Sequence, residues 1–249
     1  MKVKTLSVLA GISAPLILTG ASNANFVGIT IIEKPNAYTN MTWNIYAIFD
    51  TPDGPGQAGD LMQAVAGTPG SPLNITVWQD EAKTIPGTFY QNNFGTDKAP
   101  STQLVGVFPS LAYDTFVTIG IKMTPPADQL TLTPTWPGFG PSSLNLTNDG
   151  WAVTPLNPQG DPFNPNYVQG NGTILIGQFS SNDAQYIAGQ MLIQWKADKV
   201  NNDTGDPGPD GILDIGAYQA YVEFNTVPTP GVLGLLGAAG LIACRRRRR

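Results

Sequence analysis

An all-β fold, an antiparallel β-sandwich or jelly-roll-like body, is the class this sequence predicts, and three observations carry that prediction. Apolar and polar residues alternate in short runs. Clusters of Gly, Pro, Asn and Thr separate the runs, and apolar residues at helical spacing are nowhere sustained over three turns of the body. About ten short strands with such punctuation need two packed sheets to bury their apolar faces.

Taken in order, the chain opens on a segment of a different kind. Lys2 and Lys4 form a short basic region, Leu6 to Leu18 is mostly apolar and uncharged, and Ser22-Asn23-Ala24 puts small residues where a signal peptidase cuts. This pattern predicts a secretory signal helix over residues 1–24, removed after Ala24. The alternative is a retained anchor, but the apolar run falls short of the roughly 20 residues that span a bilayer.

The body, residues 25–226, is read as one sandwich domain, with two smaller ones as the alternative. Phe26 to Glu33 is its first strand candidate. Trp43, Ile45, Ala47 and Phe49 then share one face of a second. Further candidates are Leu61 to Ala66, Leu73 to Gln79, Leu104 to Phe108, Ser143 to Leu146 and Thr173 to Phe179. In Tyr113 to Lys122 the residues Tyr113, Thr115, Val117, Ile119 and Ile121 alternate onto one face. Met191, Ile193, Trp195 and Ala197 do so in Gln190 to Ala197, and Tyr218, Ala220, Val222 and Phe224 repeat the pattern. Thr51 to Gly56, Thr68 to Pro72, Asn148-Asp149-Gly150 and Asn171-Gly172 read as turns. The Pro- and Asn-dense stretch from Pro125 to Pro165 predicts long surface loops. Asn-x-Thr triplets start at Asn40, Asn74, Asn145, Asn171 and Asn202, and are read as turn chemistry rather than glycan sites.

Charge and composition exclude several function classes. Between the termini lie six basic residues, all Lys (Lys34, Lys83, Lys98, Lys122, Lys196 and Lys199), against all 18 acids, a formal charge of −12. An acidic body without Arg argues against nucleic acid, whose phosphates need clustered cations. The protein has no His, and its single Cys is Cys244. A Ser-His-Asp site, a Cys-His site and an ordinary zinc site are therefore excluded from the body. Paired carboxylates, as in a secreted glycosidase, remain open. Most acids lie in Gly/Pro turns; Asp114 and Glu223 lie inside strand candidates, and alternation sets Asp114 opposite the Tyr113, Val117 and Ile119 face. The expectation is a non-enzymatic body with no required cofactor.

Two binding chemistries stand beside that expectation. Residues 198–214 form a loop crowded with oxygen donors, among them Asp203, Asp206, Asp210 and Asp214. Calcium wants several such oxygens converging at about 2.3–2.6 Å, with a Gly at the sharp turn. Counted from Asp206, Asp210 falls at position five of a calcium loop, Gly211 at six and Asp214 at nine. Gly208 at three and Ala217 at twelve depart from the pattern. A solvated acidic turn between two strands is the alternative. Trp136, Phe139 and Trp151, and separately Phe89 and Tyr90 ahead of Gln91-Asn92-Asn93-Phe94-Gly95, could stack on sugars. Folding back as lids over the sandwich ends buries more apolar area and is the expected role of these rings.

The last 23 residues follow a separate grammar. A Pro-flanked turn at Val227, Pro228, Thr229 and Pro230 leads to an apolar run from Val232 to Cys244, built on Val232, Leu233, Leu235, Leu236, Leu241 and Ile242. Arg245, Arg246, Arg247, Arg248 and Arg249 close the chain. A cationic block beside an apolar helix stays on the cytoplasmic side, so the body lies outside. This tail resembles the PEP-CTERM sorting signal of Gram-negative bacteria, in the Val-Pro-Thr-Pro variant of planctomycete-type proteins, with Thr229 where the family name has Glu. The resemblance implies export through signal peptidase and the general secretion machinery and transient anchoring in the inner membrane by a short transmembrane sorting helix. It further implies cleavage near Pro228 to Pro230 by an exosortase, with delivery to the cell surface or an exopolysaccharide matrix. Leu111 to Gly120 resembles stretches of uncharacterised secreted domains that carry such tails, which implies no activity. An ordinary C-terminal anchor is the alternative, for which 13 apolar residues are few.

Overall fold

The computed structural model describes residues 26–49, 61–155, 157–164, 172–198 and 215–227. The expected signal helix, the acidic loop with Asp203, Asp206, Asp210 and Asp214, and the tail beyond Val227 lie outside the described residues. Within them the strands are, in chain order, β1 Phe26–Lys34, β2 Met41–Phe49, β3 Leu61–Ala66, β4 Leu73–Trp78 and β5 Phe116–Val117. There follow β6 Thr131–Leu132, β7 Ser143–Leu146, β8 Gly150–Ala152, β9 Thr173–Ser181, β10 Tyr186–Asp198 and β11 Ile215–Asn225. One short α-helix, α1 Thr102–Val107, interrupts them. The protein is all-β, and every ladder between these strands is antiparallel.

The strands form two sheets. The first has the order β1-β2-β9-β5; the second runs β6-β8-β3-β10-β4-β7, with β11 added on β10. Strand β10 is the hub of the second sheet. Its Ala188–Asp198 stretch pairs with Asn225–Ile215 of β11, its Leu192–Lys196 stretch with β3, and its Tyr186–Gln190 stretch with β4. A strand has two edges, so β3 and β4 must lie end to end on the edge opposite β11. The chain between them leaves the ladder in a tight excursion closed by Thr68 and Ser71, whose backbones exchange hydrogen bonds of 2.9 and 3.1 Å. Gly67 starts that excursion because nothing larger fits: a Cβ there would stand 1.9 Å from the Leu146 carbonyl oxygen.

The sheets pack face to face in sandwich fashion. Trp43, Ile45, Ala47 and Phe49 of β2 meet Val65, Ile75, Met191 and Ile193 of the other sheet in one core cluster. The expected one-face alternation in β2 is thus present, but its other face is buried too. Tyr46 and Leu175, on the outer side of the first sheet, pack against Ala99, Phe116 and Ile121 of the connecting segment between β4 and β6. That segment therefore forms a third layer over β2 and β9.

In this layer two expected strands are absent, and in the second sheet two expectations of loops or turns fail. Tyr113 to Lys122 is not one strand: Pro109–Tyr113 is a 3₁₀ turn, and only Phe116 and Val117 pair as a strand. The stretch is buried on both faces, so alternation carries no information about it; Asp114 is buried with its neighbours, not solvated opposite them. Leu104 to Phe108 falls largely within α1, not a strand, because Ser101 caps it: its Oγ accepts from the Gln103 amide at 3.2 Å. The Pro125 to Pro165 stretch carries β6 and β8 besides the expected β7, and Trp151 of β8 is fully buried, donating its Nε1–H to the Thr118 carbonyl at 3.0 Å. Asn74 and Asn145 are not turn residues either. They sit opposite each other across β4 and β7 with their side chains hydrogen-bonded.

Trp151 joins the second sheet to the third layer, so its truncation should be costly. Trp151→Ala is expected to lower the unfolding free energy by about 3–5 kcal/mol, read as a shifted midpoint in urea denaturation; a loss below about 1 kcal/mol would contradict its place in the core.

Candidate functional site: a buried carboxylate beneath an aromatic surface

The third layer brings the body's one deeply buried acid among the described residues onto the outer face of the first sheet. Asp114 is 1% exposed. It follows the 3₁₀ turn that Pro109 begins, and its carboxylate accepts from the Asn92 amide at 2.7 Å and from its neighbour Thr115's amide at 3.0 Å. The loop pressing on it needs a glycine: a Cβ on Gly95 would lie 1.7 Å from Asp114 Oδ2. Burial pushes the Asp114 carboxyl up to about 6, the two amides hold it down in part, and the charge of Asp97 adds to the rise.

A buried polar band continues from Asp114 across the sheet. Gln178 donates to the carbonyls of Ala112 and Asp114 at 3.0 and 2.9 Å. The Thr115 hydroxyl accepts from the Ser180 amide at 3.0 Å, and the Ser180 and Thr42 hydroxyls share a 2.8 Å bond. The bonds of Gln178 and Thr115 tie the covering layer to β9, and the Ser180–Thr42 bond ties β9 to β2. The carboxylate thus acts as an anchor for a loop, with its acceptor capacity turned to backbone amides.

Above this band the surface is aromatic. Phe108 and Tyr113 bracket the 3₁₀ turn. Phe94, 58% exposed, stacks on Phe108 with ring centres 4.2 Å apart, and Tyr38, 48% exposed, stacks on Tyr113 at 5.4 Å. Asn92, two residues before Phe94, donates through Nδ2 to the Tyr90 hydroxyl at 3.1 Å and the Ser110 hydroxyl at 2.8 Å. Helix α1 buries none of its residues and leaves Leu104 and Val107 exposed nearby in the chain.

The residues expected to matter from sequence fall differently. Trp136, Phe139 and Trp151 meet edge to face at ring distances of 6.0 Å and join the core, with the Trp136 Nε1–H held by Asp97 Oδ2 at 2.8 Å. Phe89 is also buried, against Phe139 and Phe179. Their expected role as core lids is what the structure shows. Of the expected sorting motif only Val227 is described; its amide donates to Asn225 Oδ1 at 3.0 Å. Pro228, Thr229, Pro230, the apolar run, Arg245 to Arg249 and the four candidate calcium aspartates lie outside the described residues. Among the described residues no three His, Cys, Asp or Glu side chains cluster as a metal site would require. Sequence reasoning missed the Asp114 anchor and the Tyr38/Tyr113 pair; a carboxylate set within an apolar run, following an Asn-Asn-Phe-Gly turn, was the available signal.

No protein-family model, curated protein or solved structure matches this chain.

Asp114 makes stability depend on pH with a definite sign. Its folded pKa of about 6 exceeds the ordinary 3.8, so between those values the folded chain binds more protons than the unfolded one. Stability contributed by this group therefore falls as pH rises from about 4 to about 6 and is lost above it. Asp114→Asn, which keeps a carbonyl acceptor for both amides, is expected to remove that part of the slope in melting temperatures measured across this range. An unchanged slope would show that another group titrates.

Proposed function

We propose that the chain is an exported, non-enzymatic protein of the cell surface or extracellular matrix, sorted through its C-terminal signal and cut there by an exosortase-type enzyme. The observation that carries this reading is the order of elements at the end of the chain: Val227-Pro228-Thr229-Pro230, the 13-residue apolar run, then five arginines. The way the body ends adds support. Thr226, the residue before the motif, is still clamped to β10: its amide donates to the Ile187 carbonyl at 3.0 Å and its hydroxyl accepts from the Ile187 amide at 2.9 Å. A cut near Pro228 to Pro230 would then release the body with every described strand intact. The body itself is read as jelly-roll-like, and its bonded polar band and absence of Cys fit a scaffold stabilised by burial rather than by disulfides. Signal peptidase, the secretion machinery and, transiently, the inner membrane are its expected partners on the way out. Deleting Arg245–Arg249 is expected to leave unprocessed or mislocalised chains, detected by fractionating cells and blotting; normal surface delivery of the truncated chain would contradict the sorting role.

A second reading, a carbohydrate-binding module for exopolysaccharide, is favoured by one observation. The exposed rings of Phe94 and Tyr38 stack on Phe108 and Tyr113, which bracket a turn whose Ser110 hydroxyl accepts from Asn92 Nδ2. Stacking on such rings is how apolar sugar faces are held, and the amides and hydroxyls beside them suit sugar hydroxyls. This moves the candidate sugar site from Trp136 and Trp151, which serve the core, to the surface of the third layer. Calcium at Asp203, Asp206, Asp210 and Asp214 stays an expectation of the sequence alone. If sugar binding holds, Phe94→Ala and Tyr38→Ala should each weaken retardation in affinity gels containing the host's exopolysaccharide several-fold while leaving the melting temperature nearly unchanged. Equal migration of wild type with and without polysaccharide would sink it.

A further inference from the structure

Edge strands expose unpaired backbone groups, and folded proteins blunt them by shortness, bulges or charge. Four of the five edges among the described residues follow this rule. Strands β5 and β6 are two residues long and β7 four, while β1 carries a register shift between Phe26 and Gly28 and ends in Glu33-Lys34. Strand β11 does not. It runs eleven residues in unbroken register on β10, without Pro or Lys and with Glu223 as its one charge. Its second edge pairs with no strand among the described residues, and β1 of the other sheet runs near it without joining it.

The ladder tells which residues face that open edge. The Thr226 amide donates to the Ile187 carbonyl, and the register continues from Ala188 opposite Asn225. Hydrogen-bonded pairs alternate in an antiparallel ladder. Phe224, Val222, Ala220 and Tyr218 therefore bond to β10, while Asn225, Glu223, Tyr221, Gln219 and Ala217 turn their N–H and C=O groups outward.

We propose that β11 pairs with β11 of a second copy of this chain, antiparallel and centred on Tyr221, joining the two larger sheets into one. The strand is complementary to itself in this register. Tyr221 meets the partner's Tyr221, Gln219 meets the partner's Glu223, and Ala217 meets the partner's Asn225, so every outward backbone group finds a partner. On the core side small meets large, with Ala220 opposite the partner's Val222. Tyr218 falls opposite the partner's Phe224, an aromatic pair of the kind that stabilises sheets. Centring on Glu223 instead would set two carboxylates directly opposite, which is destabilising. Tyr221 is 40% exposed on the outer face, as a central pair requires. The proposal stands on the ladder geometry alone and is independent of how the chain is sorted.

Cysteine cross-linking tests both the partner and the register. In the full chain carrying Cys244→Ser, Tyr221→Cys places two sulfurs on strands whose Cα atoms would be about 5.5 Å apart, within disulfide reach. Gln219→Cys sets its two copies four residues out of register, about 13 Å apart along the strands, beyond that reach. Mild oxidation should give a covalent dimer as the main product of Tyr221→Cys and none of Gln219→Cys. Sedimentation should show a concentration-dependent dimer for the wild type, and Tyr221→Pro, which removes an outward donor while sparing every bond to β10, should be monomeric with an unchanged circular dichroism spectrum. Absence of the Tyr221→Cys cross-link, or equal cross-linking of both variants, would overturn the proposal. So would a wild type that stays monomeric with the Tyr221 amide protected from hydrogen exchange, which would mean that the chain covers its own edge.

Discussion

The structure depends on β10 being bonded along both edges. One thirteen-residue strand holds β11 on one side and, on the other, β3 and β4 placed end to end. The strands beyond them, β8 with β6 and β7, reach the sheet only through those two. Because β3 and β4 share an edge, the chain between them must leave and return within six residues, which explains the glycine at Gly67 and the Thr68–Ser71 closure. Because β10 is central, its inner row of Met191, Ile193 and Trp195 lies across the middle of the core and meets β2 from the facing sheet. A change that unpairs β10 would therefore disconnect the whole second sheet, whereas one that unpairs β6 would not.

What could be read from the sequence follows from how many faces of each strand meet water. Strand β11 has a core face and a solvent face, and Tyr218, Ala220, Val222 and Phe224 alternate as plainly in the chain as they do in space. Strands β2, β3, β4, β7, β9 and β10 were also legible, since turn residues bracket them. The third layer was not. Residues 114–121 are buried on both faces, so a run of mixed apolar and polar residues looked like a one-sided strand, and Asp114 looked solvated when it anchors a loop. Helix α1 was misread because six residues are too few to display a helical period; its one local signal is Ser101 at the cap. Of the candidate site, the sequence marks only the Gln91 to Gly95 loop that carries Phe94; the stacking of Phe94 on Phe108 and the pairing of Tyr38 with Tyr113 join residues far apart in the chain, which spacing alone does not reveal.

The C-terminal end of the described body stands close to the proposed cut. Strand β11 closes at Asn225, one clamped residue before the Pro-rich motif. The strand whose outer edge pairs with no other strand among the described residues is therefore the one nearest to the proposed cut. All arginines of the protein lie in that tail, while the body is acidic and free of His and Cys. The chemistry of the body is that of a bonded scaffold with an aromatic surface, and the role proposed for the tail is that of an address.

The mass of the protein as recovered from the surface of its own cells tests this account most directly. A chain that begins near Asn25 and ends between Thr226 and Gly231 is the predicted result, since it fixes both cuts at once. A chain that still ends in Arg249 would contradict it.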